Sequence, residues 1–161
     1  MHLHLYVKLP PWYGWRMSEG PSESVVRAWV RLVRAEQTVL AAVEADLKAA
    51  GFPPLAWYDV LLELSRETSG ALRPLEIERR VLLAQYNLSR LIDRLEEAGL
   101  VARQPCPEDR RGQLVRLTSA GRRLQQRMWP AYGAAIRRRV GDRLTDKEAA
   151  TLALLLDKLL V

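Results

Sequence analysis

Residues 84–123, AQYNLSRLIDRLEEAGLVARQPCPEDRRGQLVRLTSAGRR, change period from helix to ribbon and back to helix, and this order restricts the folds open to the chain. Leu88, Leu91, Ile92 and Leu95 recur at i, i+3, i+4 and i+7, which predicts a helix with one apolar stripe. Gln85, Tyr86, Asn87, Ser89, Arg90, Asp93 and Arg94 fall outside that stripe, so one face is to be buried and the other offered. Gly99 follows Ala98 as the residue able to take the left-handed conformation that ends a helix. Leu100 to Arg103 then runs extended, and the prolines of Pro105-Cys106-Pro107 predict that pairing stops there. Leu114 to Leu117 is the expected return strand, with Val115 and Leu117 on one face. Glu108 to Gln113 forms a solvated tip carrying Arg110 and Arg111. Thr118 is placed to cap a new helix.

Helix, ribbon and helix in this order are the reading parts of a winged helix-turn-helix. A polar helix face fits the major groove of duplex DNA, and an arginine on a narrow wing fits the adjacent minor groove. Residues 88–121 resemble the signature of the multiple-antibiotic-resistance regulator (MarR) family. Ser89-Arg90 and Asp93-Arg94-Leu95-Glu96 match its recognition helix, and Gly99-Leu100-Val101 its turn into the wing. Asp109-Arg110-Arg111 match its D-x-R wing tip, and Leu117-Thr118 with Gly121 its exit into a dimerisation helix. The chain departs from the family at Leu83-Ala84-Gln85, where a Ser or Thr usually opens the recognition helix; alanine is a poorer cap by about 1 kcal/mol. Gln85, Tyr86, Asn87, Ser89, Arg90, Arg94, Arg110, Arg111 and Gln113 are the expected DNA contacts. Asp109 is assigned to orienting Arg111, because a carboxylate is repelled by phosphate. Gln85, Asn87 and Ser89 carry the amides and hydroxyl suited to base edges.

The rest of the chain reads as support for this region. Ser22 to Ala50 predicts one long helix, with Val26, Trp29, Val30, Val33, Leu40, Val43 and Leu47 on its apolar face and Gly51 as its stop. Leu55 to Arg66 predicts a second helix through Trp57, Val60, Leu61 and Leu64. Ser69-Gly70 breaks it, 71–74 is short and extended, and Leu75 to Leu82 predicts a support helix through Leu75, Ile77, Val81 and Leu82. The helix from Thr118 contains Pro130, which predicts a kink near Gln126 to Trp129. Gly141 to Leu144 is a joint. Thr145-Asp146-Lys147-Glu148 is a capping box, and Leu152, Leu155, Leu156, Leu159 and Leu160 make a final leucine face that asks for a partner. The expected organisation is an arm over 1–21, a dimerisation helix over 22–50, a DNA-binding winged domain over 51–118 and dimerisation helices over 119–161. The fold class is mainly α with a small β-wing.

At 161 residues and 48% hydrophobic content the chain has enough apolar material for a real core. No apolar run approaches the roughly 18 to 20 residues of a membrane span, so a cytoplasmic location with no membrane partner is expected. Net charge is +6, distributed as six basic against five acidic residues over 1–50, ten against ten over 51–118, and nine against four over 119–161. The reading region is therefore neutral, which supports an alternative in which the winged domain is a protein-interaction module without DNA contact. Arg122 and Arg123 on the following helix are expected to help attract phosphate.

In the N-terminal stretch, His2 to Leu9 alternate as an extended arm would, before Pro10-Pro11 and the aromatic Trp12, Tyr13 and Trp15. Either this arm packs on a partner or on the groove above the first helix, or Met17 is the biological start. His2 and His4 have no Cys or carboxylate company, so no metal is expected. Cys106 excludes an intrachain disulfide. The family's peroxide-sensing branch carries its thiol near the first helix, so Cys106 reads as a spectator. The resemblance implies a small phenolic or anionic aromatic ligand between the dimer helices and the reading domain, and nominates Trp29, Trp57 and Tyr58 to line its pocket. No nucleophile triad, phosphate loop, zinc pattern or cofactor motif is present, so the chain reads as a non-enzyme. The expected protein is a homodimer that binds a pseudo-palindromic double-stranded operator, as a repressor released by a small ligand.

Overall fold

A computed structural model of the chain describes residues 20–82, 87–106 and 109–160, with residues 109–111 described in backbone only. The chain divides into two compact units, one ending at Thr38 and one comprising Val39–Val161. The boundary falls inside the first helix, α1 (Glu23–Ala49). Its first turn is closed by Ser22, whose hydroxyl accepts from Val25 N–H at 3.4 Å and whose carbonyl accepts from Val26 N–H at 3.0 Å. In the first unit, Val25, Val26, Trp29 and Val30 all lie exposed.

In the second unit α1 ends at Gly51, whose φ of 75° is the left-handed stop expected of glycine there. Next comes α2 (Leu55–Arg66), which follows Pro54, a residue with no side-chain acceptor to cap it. Glu44 of α1 supplies the cap instead, both carboxylate oxygens accepting from Leu55 N–H at 3.1 and 3.2 Å. Beyond Gly70 the extended pair β1 (Ala71–Leu72) precedes α3 (Pro74–Arg80). α3 stops two residues short of the predicted Leu82. Of the four apolar residues assigned to its buried face, only Ile77 is buried. Val81 packs partly on the core, whereas Leu75 and Leu82 are exposed, Leu82 by 74%.

The recognition helix is α4 (Leu88–Glu97), followed by β2 (Val101–Cys106) and β3 (Asp109–Leu117). The wing differs from expectation in two ways. It is a three-stranded antiparallel sheet in the order β1-β3-β2, not a two-stranded ribbon, with Ala71 opposite Arg116 and Leu72 opposite Val115. Pairing also continues past the predicted stop: Pro105 lies opposite Gln113 and Cys106 opposite Asp109, with a register shift between the two steps. β2 is an edge strand, so a proline there need not break a ladder hydrogen bond, and a bulge absorbs the irregularity.

Thr118 caps α5 (Ser119–Ile136), accepting from Gly121 N–H at 3.0 Å and donating to Gly99 O at 2.8 Å. A Cβ on Gly121 would stand 2.1 Å from Leu100 O, so only glycine lets α5 start this close to the turn after α4. Pro130 lies within α5, which stays helical through it. A π-helical turn, Arg137–Gly141, follows and carries Arg138 and Arg139 to Asp46 at 3.2 and 3.0 Å. These arginines hold the Asp46 carboxyl below the usual range. Thr145 and Glu148 form the expected capping box of α6 (Asp146–Asp157), and Glu148 is likewise lowered by the hydrogen bonds from Thr145.

The second unit holds two cores. One joins Val60, Leu61 and Leu64 of α2 to Ile77, to Leu91, Ile92 and Leu95 of α4, and to Val101 and Val115 of the sheet. The other joins Val43 and Leu47 to Leu55, Tyr58, Met128 and Ala135. Among the described residues no helix is long and apolar enough to cross a membrane.

Candidate nucleic-acid interface

The start of α4 settles the uncertainty left by Ala84. Asn87 is the N-cap, its side-chain oxygen accepting from Arg90 N–H at 3.2 Å. One acceptor of a nominated base reader is thus spent on holding the helix. Gln85 and Tyr86 lie outside the described residues. From Leu88 onward the stripe divides as its spacing predicts. Leu91, Ile92 and Leu95 are buried, while Ser89, Arg90, Asp93 and Arg94 are exposed. Neither Arg90 nor Arg94 has a carboxylate partner among the described residues.

The acids of α4 are used otherwise. Arg103 of β2 donates to Glu96 and to Asp93 through its guanidinium, and its backbone N–H donates to Glu96 Oε1 at 2.9 Å. These bonds, the backbone one first, hold the Glu96 carboxyl below its ordinary range. The Asp93 and then the Glu96 hydrogen bonds push Arg103 up. The clamp ties helix to wing across a turn already closed by Leu100 N–H donating to Leu95 O at 2.9 Å. It went unpredicted, although Asp93 and Glu96 at i, i+3 share one side of the helix and a basic residue follows on the next strand. A second missed tie is Arg116, whose Nε reaches Gln104 Oε1 and whose Nη1 reaches Ser69 O, both at 2.7 Å, so the wing is also fixed to the start of β1.

At the wing, Gln113 is exposed on β3. The backbone of Asp109, Arg110 and Arg111 belongs to the same strand. The side chains of these three, and with them the assignment of Asp109 to orienting Arg111, lie outside the described residues. Cys106 is buried, with Arg73 Nη2 donating to its Sγ at 3.3 Å. The thiol is therefore packed inside the sheet edge instead of lying on an open turn.

Of the nominated ligand residues, the two in the second unit line different cavities. Trp57 lines a cavity of about 180 Å³ with Pro54 and Ala56 of the α2 start and Asn87, Arg90, Leu91 and Arg94 of α4. Tyr58, its neighbour in sequence, lines a different cavity of about 260 Å³ beside Asp59 and Tyr132. Successive helical residues point roughly 100° apart, so adjacent positions on α2 serve different surfaces. Trp29 is 65% exposed in the first unit. Among the described residues no group of His, Cys, Asp and Glu is assembled to hold a metal.

Comparison with known proteins converges on one family. A model of the MarR family matches residues 50–112. The multiple antibiotic resistance protein MarR of Escherichia coli K12 is 32% identical over 115 residues, which cover 71% of this chain and 74% of that protein. Among solved structures, Sco3205, a MarR family transcriptional regulator from Streptomyces coelicolor in complex with DNA, is similar with a TM-score of 0.77 at 26% identity, covering 87% of this chain and 88% of that one. BpsR of Bordetella bronchiseptica, whose DNA binding is regulated by 6-hydroxynicotinic acid, gives 0.74 at 26% identity over 87% and 97% of the two chains.

Proposed function

Because this chain belongs to the MarR family, whose members are transcriptional regulators and not enzymes, we propose that it acts in the cytoplasm as a homodimer on a pseudo-palindromic DNA operator. It represses until a small anionic aromatic ligand releases it. The observation that carries this reading is the outer face of α4. Ser89, Arg90 and Arg94 stand exposed there, opposite the buried Leu91, Ile92 and Leu95, while the nearby acids Asp93 and Glu96 share the guanidinium of Arg103. Two of the ten acids of residues 51–118 are thus engaged by a single basic residue of the wing, so the neutral balance of that region does not describe the arginine-bearing face of α4.

In a twofold assembly the two copies of α4 enter successive major grooves about 34 to 36 Å apart. Arg90, Arg94 and Ser89 make the contacts from the described helix face. Gln85, Tyr86 and the Nδ2 donor of the Asn87 amide add to them at its start, and Arg110, Arg111 and Gln113 reach the minor groove from the wing. The exposed Leu152, Leu154 and Leu155 of α6, with Leu159 and Leu160 after it, supply the apolar face a second copy would bury.

The cavity beside Trp57 suits release. About 150 Å³ accommodates a benzene-sized ring, and a carboxylate there would meet Arg90 and Arg94, the same guanidinium groups offered to phosphate. Operator and ligand then compete for two side chains. The test is operator affinity on a duplex selected from random pools. Arg94→Ala should cost about 1 to 3 kcal/mol if a base edge is read, or lower the salt slope by about one if a phosphate is met. Unchanged affinity in the Arg90→Ala, Arg94→Ala double variant would remove α4 from the reading.

A further inference from the structure

We propose that Asp46 is a positioning residue for DNA recognition: by gripping Arg138 and Arg139 it fixes the π-helical turn between α5 and α6, and with it the separation of the two recognition helices in the dimer. The assignment rests on the reading of the chain as a twofold dimer joined through α6. Residues 119–141 hold six arginines and no acid, so a carboxylate for this run has to come from another element. Asp46 of α1 supplies one. It lies between Val43 and Leu47, which are buried in one core with Met128 and Ala135 of α5, so its backbone is seated on the helix it serves. The fork of Arg139 takes both of its oxygens, Nη2 donating to Oδ1 at 3.0 Å and Nε to Oδ2 at 3.3 Å. Arg138 Nη2 donates to Oδ2 as well, at 3.2 Å. A forked grip on a carboxylate only 21% exposed holds harder than an ordinary surface pair.

The turn held in this way is irregular. Asp142 N–H donates to Arg137 O at 2.7 Å, five residues back, where an α-helix bonds four back. One extra residue in a turn rotates the chain that follows by about 100° relative to an unbroken helix. Only residues 142–145 then separate the turn from α6. α6 buries none of its own residues in this chain, so no buried anchor along its length fixes its heading, which is set at its root. That heading decides where the exposed Leu152, Leu154 and Leu155 point, and so how a second copy is placed against the first. Without Asp46 the three consecutive arginines 137–139 have no carboxylate among the described residues, and the wide turn loses the contact that keeps it in this register. The recognition helix and the wing are untouched by that loss, because neither contributes to the grip.

The test uses the full chain and duplexes carrying two selected half-sites, with the separation between them changed by one or two base pairs either way. Each step moves a half-site by about 3.4 Å and turns it by about 35° around the duplex. The wild-type chain should lose at least about tenfold in affinity one step from its best separation. Asp46→Asn keeps the shape of the side chain and removes its charge, and should lose less than about threefold at that step. Its affinity for a duplex with a single half-site should match the wild type, and sedimentation should still show a dimer. Arg138→Gln with Arg139→Gln should give the same flattened profile, and adding Asp46→Asn to that pair should change nothing further. A sharp profile kept by either variant, a monomer, an altered single half-site affinity, or a further change on combining the substitutions would each overturn the assignment. A wild-type chain that gains nothing from a second half-site at any separation would overturn the twofold operator reading, and the role of Asp46 with it.

Discussion

α4 and α6 are helices of ten and twelve residues with the same raw material, a leucine-rich side and a polar side. They spend it oppositely. α4 buries Leu91, Ile92 and Leu95 within its own chain, whereas α6 buries none of its residues and leaves Leu152, Leu154 and Leu155 exposed. A helix whose apolar side is satisfied has only its polar side left to offer, and here that side carries arginines. One whose apolar side is unsatisfied is a candidate for association. The contrast assigns the two helices different tasks in one assembly, and it can be broken.

The largest effect is expected from charging the α6 face. Leu152→Asp with Leu155→Asp should convert a dimer into a folded monomer by sedimentation. Operator affinity should then drop by about 10² to 10⁴, the advantage normally gained by linking two half-site contacts. Dimers that persist in this variant would show that the exposed leucines are not the interface. The same residue type inside α4 should behave differently. Leu95→Ala, at a fully buried position, should cost about 2 to 5 kcal/mol in chemical denaturation. In the charged α6 background, Leu160→Ala should stay within about 0.5 kcal/mol. Similar costs at both positions would erase the distinction.

This difference was half legible beforehand. Spacing alone put Leu91, Ile92 and Leu95 on one stripe, placed α2 at Leu55–Arg66, and read the stops at Gly51 and Gly99, because helical periodicity and glycine punctuation are local. What escaped was non-local. Residues 71–74 read as short and extended, but that Ala71 and Leu72 pair with β3 did not show, because so short a stretch carries no period to name its partner. Glu44 caps α2 from eleven residues away, and Arg103 reaches back seven and ten residues to α4. Leu75 and Leu82 were assigned to a core by hydrophobicity, yet α3 ends before Leu82, which leaves it outside any helical face. For the interface, the exposed face of α4 was readable. The burial of Cys106 was not, since it depends on which neighbours the thiol meets, whereas the separation of Trp57 from Tyr58 follows from the period of the helix already read there.

The clamp on α4 and the capping box on α6 offer a finer contrast under acid. The carboxyls of Glu96 and Glu148 both lie below their ordinary value in the folded chain. A carboxyl lowered by folding contributes stability that is present above its unfolded pKa, about 4.3, and lost as pH falls through the folded value. Amide protection, measured against the intrinsic exchange rate at each pH, should therefore fall at the end of α4 and at the start of α6 as pH drops below that range. Arg103→Met should accelerate the α4 amides already at neutral pH and leave those of α6 alone. Equal acceleration at both helices would mean that the clamp acts on the whole unit and not on the helix it touches.

The smallest effect concerns Asn87, where holding α4 and reading DNA compete for one side chain. As a cap it accepts from Arg90 N–H, so Asn87→Ala should cost about 0.5 to 2 kcal/mol of stability. Asn87→Ser restores an acceptor at the same place without the Nδ2 donor and should return most of that stability. Operator affinity then separates the roles. If Asn87 serves DNA only by ordering α4, the serine variant recovers affinity together with stability, on every operator sequence alike. If its amide also reads a base, stability recovers while affinity does not, and the loss concentrates on operators with adenine at one position. An alanine variant that loses neither stability nor affinity would mean that the cap bond contributes nothing measurable, and that α4 is held by Arg103 and its buried stripe alone.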